Sequence, residues 1–129
     1  MIRVTPAYDS EEVKALCDRL GIEYEANSLC YYIYVNDVLG GICLFKFIKG
    51  GGRIMILRNT PEVDDRDSLI IAGRACLDFI ERNSGFDAYF EENDLPLAKA
   101  LGFKEKEGHI YLDLHGYFGT CGGGCSANK

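Results

Sequence analysis

Apolar and polar positions along this chain follow two periods, and the switches between them mark its elements. Ile2-Arg3-Val4 alternates and reads as a first strand. Ser10 offers a helix N-cap, with Glu11 and Glu12 in the first turn, where carboxylates suit the helix dipole. Val13, Leu16, Cys17 and Leu20 then fall at i, i+3, i+4 and i+7, which makes one apolar helical face, and Gly21 is its natural stop. Leu29 to Val35, rich in Tyr, Ile and Val, reads as a strand. Asn36-Asp37 marks a turn, and Leu39 to Ile48 forms the next strand, with Gly40-Gly41 near its start. Lys49-Gly50-Gly51-Gly52 turns the chain into a further strand, Arg53 to Arg58.

The period then changes. A helix is predicted from Asp67 or Ser68 to Arg82. Leu69, Ala72, Gly73, Cys76 and Ile80 lie on one face of it, widened by Ile70, Leu77 and Phe79. A helix this apolar packs across a sheet. Asn83-Ser84-Gly85 ends it, and Phe86 to Phe90 alternates as a strand. Asp94 can cap a last helix that tolerates Pro96 in its first turn, Gly102 closes it, and His109 to Leu114 is the final strand. There is no internal repeat and no linker. The pattern predicts one α/β domain over residues 1–118, followed by a Gly- and Cys-rich tail, residues 119–129, without core-forming side chains.

This order of elements, together with Gly40-Gly41, Pro61-Glu62 after the strand at 53–58 and Leu101-Gly102-Phe103 after the last helix, resembles the GNAT family of N-acetyltransferases. The resemblance spans residues 1 to about 114. It implies a twisted mixed sheet with helices on both faces. It also implies an acetyl-CoA or other acyl-CoA donor held where two central strands, 53–58 and 86–90, run parallel and splay apart toward Asn59 and Phe90. On that basis Leu57 and Asn59 at the strand end, and Arg66, Asp67, Ser68 and Leu69 at the helix start, are the cofactor-binding candidates. The physical reason is general: free N–H groups and the dipole of a helix N-terminus favour an anion. The acceptor implied is a small-molecule or peptide amine.

Two departures from the family pattern change the picture. The family's loop carries R-x-x-G-x-G, whereas here the matching run is Asp64-Asp65-Arg66-Asp67-Ser68-Leu69, with Asp64 at the Arg position and Asp67 and Leu69 at the glycines. Glycines let a backbone approach phosphates closely. Like charges about 5 Å apart repel by roughly 3 kcal/mol at an effective dielectric of 20, which amounts to about a hundredfold in affinity. Weak donor binding is the expectation, although the same aspartates also read as a solvated helix start. The second departure is Ala98, which stands where many family members carry the tyrosine that protonates the leaving thiolate. Tyr111 and Tyr117 are the phenols nearby in sequence, and Tyr111 is the candidate acid. Glu62, Glu91 and Glu92, at strand ends, are the candidate bases.

Charge and cysteine content bound the alternatives. Fourteen Lys and Arg against twenty Asp and Glu leave a net charge of −6, with an isoelectric point near 4.9. That argues against nucleic acid and against anionic membranes as partners. The N-terminus lacks a signal-peptide pattern, so a cytoplasmic protein with reduced thiols is expected. Lys46, Lys49, Arg53 and Arg58 around Gly50-Gly51-Gly52 could form an anion nest or merely a guarded hairpin. His109 and His115 bracket the last strand about 20 Å apart along a regular strand, too far to share a metal.

Cys17, Cys30, Cys43 and Cys76 sit among apolar neighbours and read as small buried hydrophobes. Cys121 and Cys125 flank three glycines and are candidates for a metal site or a small disulfide. Zinc wants four N/S ligands, so a homodimer would be needed to complete the set. Three functional classes stay open from sequence: an acyl-CoA-dependent N-acyltransferase, a catalytically silent binding relative, and a metal- or redox-responsive protein acting through the tail.

Overall fold

Seven strands form one mixed sheet, with helices on both of its faces. The computed structural model describes residues 1–118. In chain order the elements are β1 (Ile2–Ala7), α1 (Ser10–Leu20), β2 (Leu29–Val35), β3 (Val38–Ile48), β4 (Gly51–Asn59), α2 (Arg66–Asn83), β5 (Asp87–Phe90), α3 (Leu95–Leu101), β6 (Lys104–Lys106) and β7 (His109–Asp113). The sheet order is β1-β2-β3-β4-β5-β7-β6. Its strands pair antiparallel except at β4 and β5, which are parallel and joined through α2.

The apolar faces read from the sequence become two cores. Val13, Leu16 and Cys17 of α1 pack with Tyr32, Ile42, Leu44 and Met55 on one side of the sheet. On the other side Leu69, Ala72, Cys76, Leu77 and Ile80 of α2 and Leu97, Ala98 and Leu101 of α3 pack with Ile33, Phe45, Ile54 and Leu57. Fully burying one such aliphatic side chain contributes roughly 1.5–3 kcal/mol. Cys17, Cys43 and Cys76 are fully buried and Cys30 nearly so, as small apolar groups should be. Burial pushes the thiols of Cys17, Cys30 and Cys76 above their ordinary pKa.

Local capping explains where the helices begin and end. Asp9, not Ser10, caps α1, its carboxylate accepting from the N–H groups of Glu11 and Glu12. Asp65 caps α2 by accepting from Ser68 N–H at 3.1 Å, so the helix starts at Arg66, earlier than its apolar period suggests. Asp94 caps α3, as expected, and Gly102 ends it at φ 104, a left-handed conformation that suits glycine.

Two features were not foreseen. β4 begins at Gly51 rather than Arg53, because a Cβ at Gly51 would lie 1.7 Å from the carbonyl oxygen of Asp87 on the neighbouring strand. The two glycines therefore belong to the sheet rather than to the turn. A short strand, β6, precedes β7 and pairs with it from Lys104↔Tyr111 to Lys106↔His109. Its residues Lys104-Glu105-Lys106 carry no apolar alternation to announce it.

Among the described residues, no helix is long and apolar enough to cross a membrane. Cys121 and Cys125 lie outside the described residues.

Candidate functional site

The parallel pair β4–β5 is where the sheet opens. Its register runs from Gly51↔Asp87 to Ile54↔Phe90, and a last bond from Glu91 N–H to the Ile54 carbonyl measures 2.8 Å. β4 continues to Asn59 without β5. Its other edge is irregular. Leu44 pairs with Ile56 and Phe45 with Ile54, so Met55 is an extra residue, a β-bulge. A bulge bends its strand and raises the local twist. β5 ends at Phe90, so β4 runs on from Met55 to Asn59 with no strand beside it on that edge; this opening stands where the resemblance expects the two strands to splay.

The loop from β4 to α2 closes one end of this opening. Asn59 ties it together. Its Nδ2 donates to the Gly40 carbonyl at 2.9 Å and to Ser68 Oγ at 3.2 Å, and its Oδ1 accepts from Asp65 N–H at 2.9 Å. Thr60, nearly fully buried, donates through its N–H to Gly40 and through its hydroxyl to the Leu39 carbonyl. Ser68 Oγ donates to the Asp65 carbonyl. One helix N–H is thus already satisfied by the Asp65 carboxylate. Arg66 reaches across the mouth to Asp94, with contacts of 3.3 and 3.4 Å, and so joins the starts of α2 and α3.

Within the splay lies Glu92, whose side chain is only 7% exposed. Its Oε2 accepts from Leu57 N–H at 3.1 Å and from Arg58 Nε at 2.9 Å. Its Oε1 accepts from Arg58 Nη2 at 2.8 Å and from Asn93 N–H at 3.0 Å. The carboxylate fills the place a continued β5 would have taken beside β4.

On the α1 side of the sheet an open cleft of about 260 Å³ is lined by Ile22, Glu25, Leu44, Met55, Ile56 and Arg58 among others. Glu25 accepts from both Lys46 and Arg53 at 2.9 Å, and Arg53 also donates to Glu91 at 3.0 Å. The ammonium of Lys46, donating to Glu25, holds its carboxyl below the usual range. Of the basic cluster read from the sequence, Lys46, Arg53 and Arg58 are therefore held in ion pairs, while Lys49 makes none among the described residues.

The residues singled out by sequence fall in three places. Leu57, Asn59, Arg66, Asp67, Ser68 and Leu69 gather at the end of β4 and the start of α2. Of these, the side chains of Leu57, Ser68 and Leu69 are buried, and Asp67 is exposed. Glu91 flanks the splay but is exposed and paired with Arg53. Glu62 is exposed in the turn after β4.

Tyr111 stands apart on β7, across β5 from β4, where it pairs with Tyr89. Its hydroxyl donates to Asp87 at 2.7 Å, and that bond, with lesser help from burial, pushes the phenol up to about 12. Tyr117 donates to the Leu101 carbonyl, and Ala98 is fully buried. His115 lies beyond the end of β7, stacked on Phe86, while His109 meets Tyr89 edge-on. Among the described residues no group of three or more His, Cys, Asp or Glu could hold a metal.

Sequence reasoning missed Glu92's contacts. The only trace of them in the sequence is a carboxylate two steps past the apolar strand Phe86–Phe90, with no periodicity pointing it at β4.

No family model matches this chain, and no curated protein does. Solved structures do. One is the solution NMR structure of the putative N-acetyl transferase YhhK from E. coli bound to coenzyme A, with 13% identity and a TM-score of 0.59 over 88% of this chain and 97% of that one. Another is the crystal structure of a putative acetyltransferase from Exiguobacterium sp. 255-15, with 15% identity and a TM-score of 0.51 over 88% of this chain and 93% of that one. At such identities the likeness shows the fold. This is a mixed-sheet α/β domain with the fold of those two structures, the GNAT-like architecture that the order of elements implies.

Proposed function

We propose that the protein binds an acyl-CoA in the opening between β4 and β5 and transfers the acyl group to an amine lodged in the cleft beside the loop that follows α1. The observation that carries this reading is the end of β4–β5 pairing at Ile54↔Phe90 beside the Met55 bulge. It leaves a strand edge, Met55 to Asn59, that an extended ligand can pair with through its amides. The fold shared with a coenzyme A-bound structure supports the choice of ligand. The start of α2 lies at the end of that edge, where a pyrophosphate would meet the helix dipole.

Donor binding in this reading is weak. Asp65 already uses Ser68 N–H, and Arg66 is engaged with Asp94. The phenols of Tyr111 and Tyr117 are bound to Asp87 and to the Leu101 carbonyl, so neither is aimed at a leaving thiolate in the splay. The proposed amine acceptor is a small molecule or a peptide, and a homodimer is compatible with the reading.

Calorimetry with acetyl-CoA and longer acyl-CoAs, followed by an amine-panel transfer assay, tests it. Binding in the high micromolar range with acyl transfer supports the proposal. No heat at millimolar acyl-CoA contradicts it. Binding without transfer to any amine would leave only a donor-binding relative.

A further inference from the structure

We propose that Glu92 is a built-in occupant of the acyl-donor slot, which an incoming donor must displace. The inference rests on the donor-slot reading above and adds a residue that governs occupancy. Past Ile54, β4 has no strand partner on the β5 side, so its edge groups there need another match. Leu57 N–H is such a group, and Glu92 Oε2 meets it at 3.1 Å. The same carboxylate takes two bonds from Arg58 and one from Asn93 N–H. Four donors on one largely buried carboxylate make a satisfied contact, not a chance approach of an exposed side chain.

The consequence is competitive. A ligand lying along β4 as an added strand presents a carbonyl oxygen to the same edge, and Leu57 N–H cannot serve that oxygen and Glu92 fully at once. Binding therefore requires the segment after β5, Glu91 to Asp94, to release its hold on β4. Asp94 in that segment also pairs with Arg66, so release at Glu92 loosens the bridge between the starts of α2 and α3. It also frees the guanidinium of Arg58, a residue lining the cleft beside the loop that follows α1. Donor entry on one side of the sheet thereby exposes a cation on the acceptor side.

The test is calorimetry with free coenzyme A on the wild type, Glu92→Gln and Glu92→Ala, paired with amide exchange of ligand-free protein. Gln keeps an oxygen for Leu57 N–H but loses the charge-assisted bonds, and it serves if the Ala variant folds poorly. Losing a carboxylate competitor with charge-assisted bonds should tighten coenzyme A about tenfold to a hundredfold for Ala and a few-fold for Gln. Exchange at Leu57 should accelerate in Glu92→Ala. If the wild type binds coenzyme A and both variants bind equally or more weakly, Glu92 is not an occupant, and the donor-slot reading stands. If none of the three binds, both fail.

Discussion

The acidic loop gives the sharpest handle on donor affinity, because the structure separates its three aspartates. Asp65 is structural: it caps α2, and its N–H is held by Asn59. Asp64 and Asp67 are exposed, and neither carboxylate has a hydrogen bond or ion pair among the described residues. The double variant Asp64→Arg with Asp67→Asn changes the local charge by three units and leaves the cap intact.

At about 7 Å from a pyrophosphate and an effective dielectric of about 50, each unit is worth roughly 1 kcal/mol. Salt at 0.15 M, with a Debye length of about 8 Å, removes about half of that. The total is about 1.5 kcal/mol, or roughly tenfold tighter coenzyme A. Removing Asp67 from the first turn of α2 costs at most about 1 kcal/mol of stability. Calorimetry at low and high salt reads the effect. The gain should shrink to about twofold or less in 1 M salt, where the Debye length falls to about 3 Å. An affinity unchanged at low salt would refute the reasoning, because it would place the pyrophosphate away from this loop.

Other expectations follow from packing and titration. Gly51→Ala would place a Cβ 1.7 Å from the Asp87 carbonyl and force β4 and β5 apart; overpacking and two lost ladder bonds should cost about 2–5 kcal/mol by urea unfolding, while Gly108→Ala, with open space but φ +82, should lose only about 1 kcal/mol. Thiol labelling of native protein should reach Cys121 and Cys125 before the buried Cys17, Cys30, Cys43 and Cys76, so rapid modification of Cys76 would show that the α2 core opens readily. Tyr31 and Tyr111 are both pushed up to about 12 from 10.0, Tyr31 chiefly by burial and Tyr111 chiefly by Asp87. The folded state then holds protons that the unfolded state loses, and stability falls as pH rises from about 10 toward 12; chemical denaturation midpoints that hold steady across that window would contradict this.

The elements were legible where an apolar period ran long. α1, β2, β3 and α2 each carry three or more core residues, and each was placed to within a few residues. Boundaries were less legible where several side chains could do the same job. Asp-Asp-Arg-Asp-Ser holds four residues able to cap a helix, and the choice of Asp65 is made by Asn59, six positions away. Gly51-Gly52 reads as turn by propensity, but the close approach of Asp87 puts it in the sheet. β6 consists of charged residues and exists by pairing alone.

The site was half legible. Its location followed from strand–helix–strand order, since a parallel pair joined by a helix needs a crossover. Its occupant did not, because Glu92 meets Leu57 across 35 residues of chain. The bulge at Met55 was equally hidden, since that residue has nothing in its chemistry to announce one.

The central claim is that an acyl-CoA enters between β4 and β5. Amide chemical-shift mapping during a titration with coenzyme A tests it most directly. The account predicts that the largest changes fall at Leu57, Arg58 and Asn59, at Arg66 at the start of α2, and at Glu91 to Asn93. Amides of Asp87 and Asp113, which pair at the other end of β5 and β7, should stay still. Changes centred on Asp87 and Asp113, or none anywhere at millimolar coenzyme A, would contradict it.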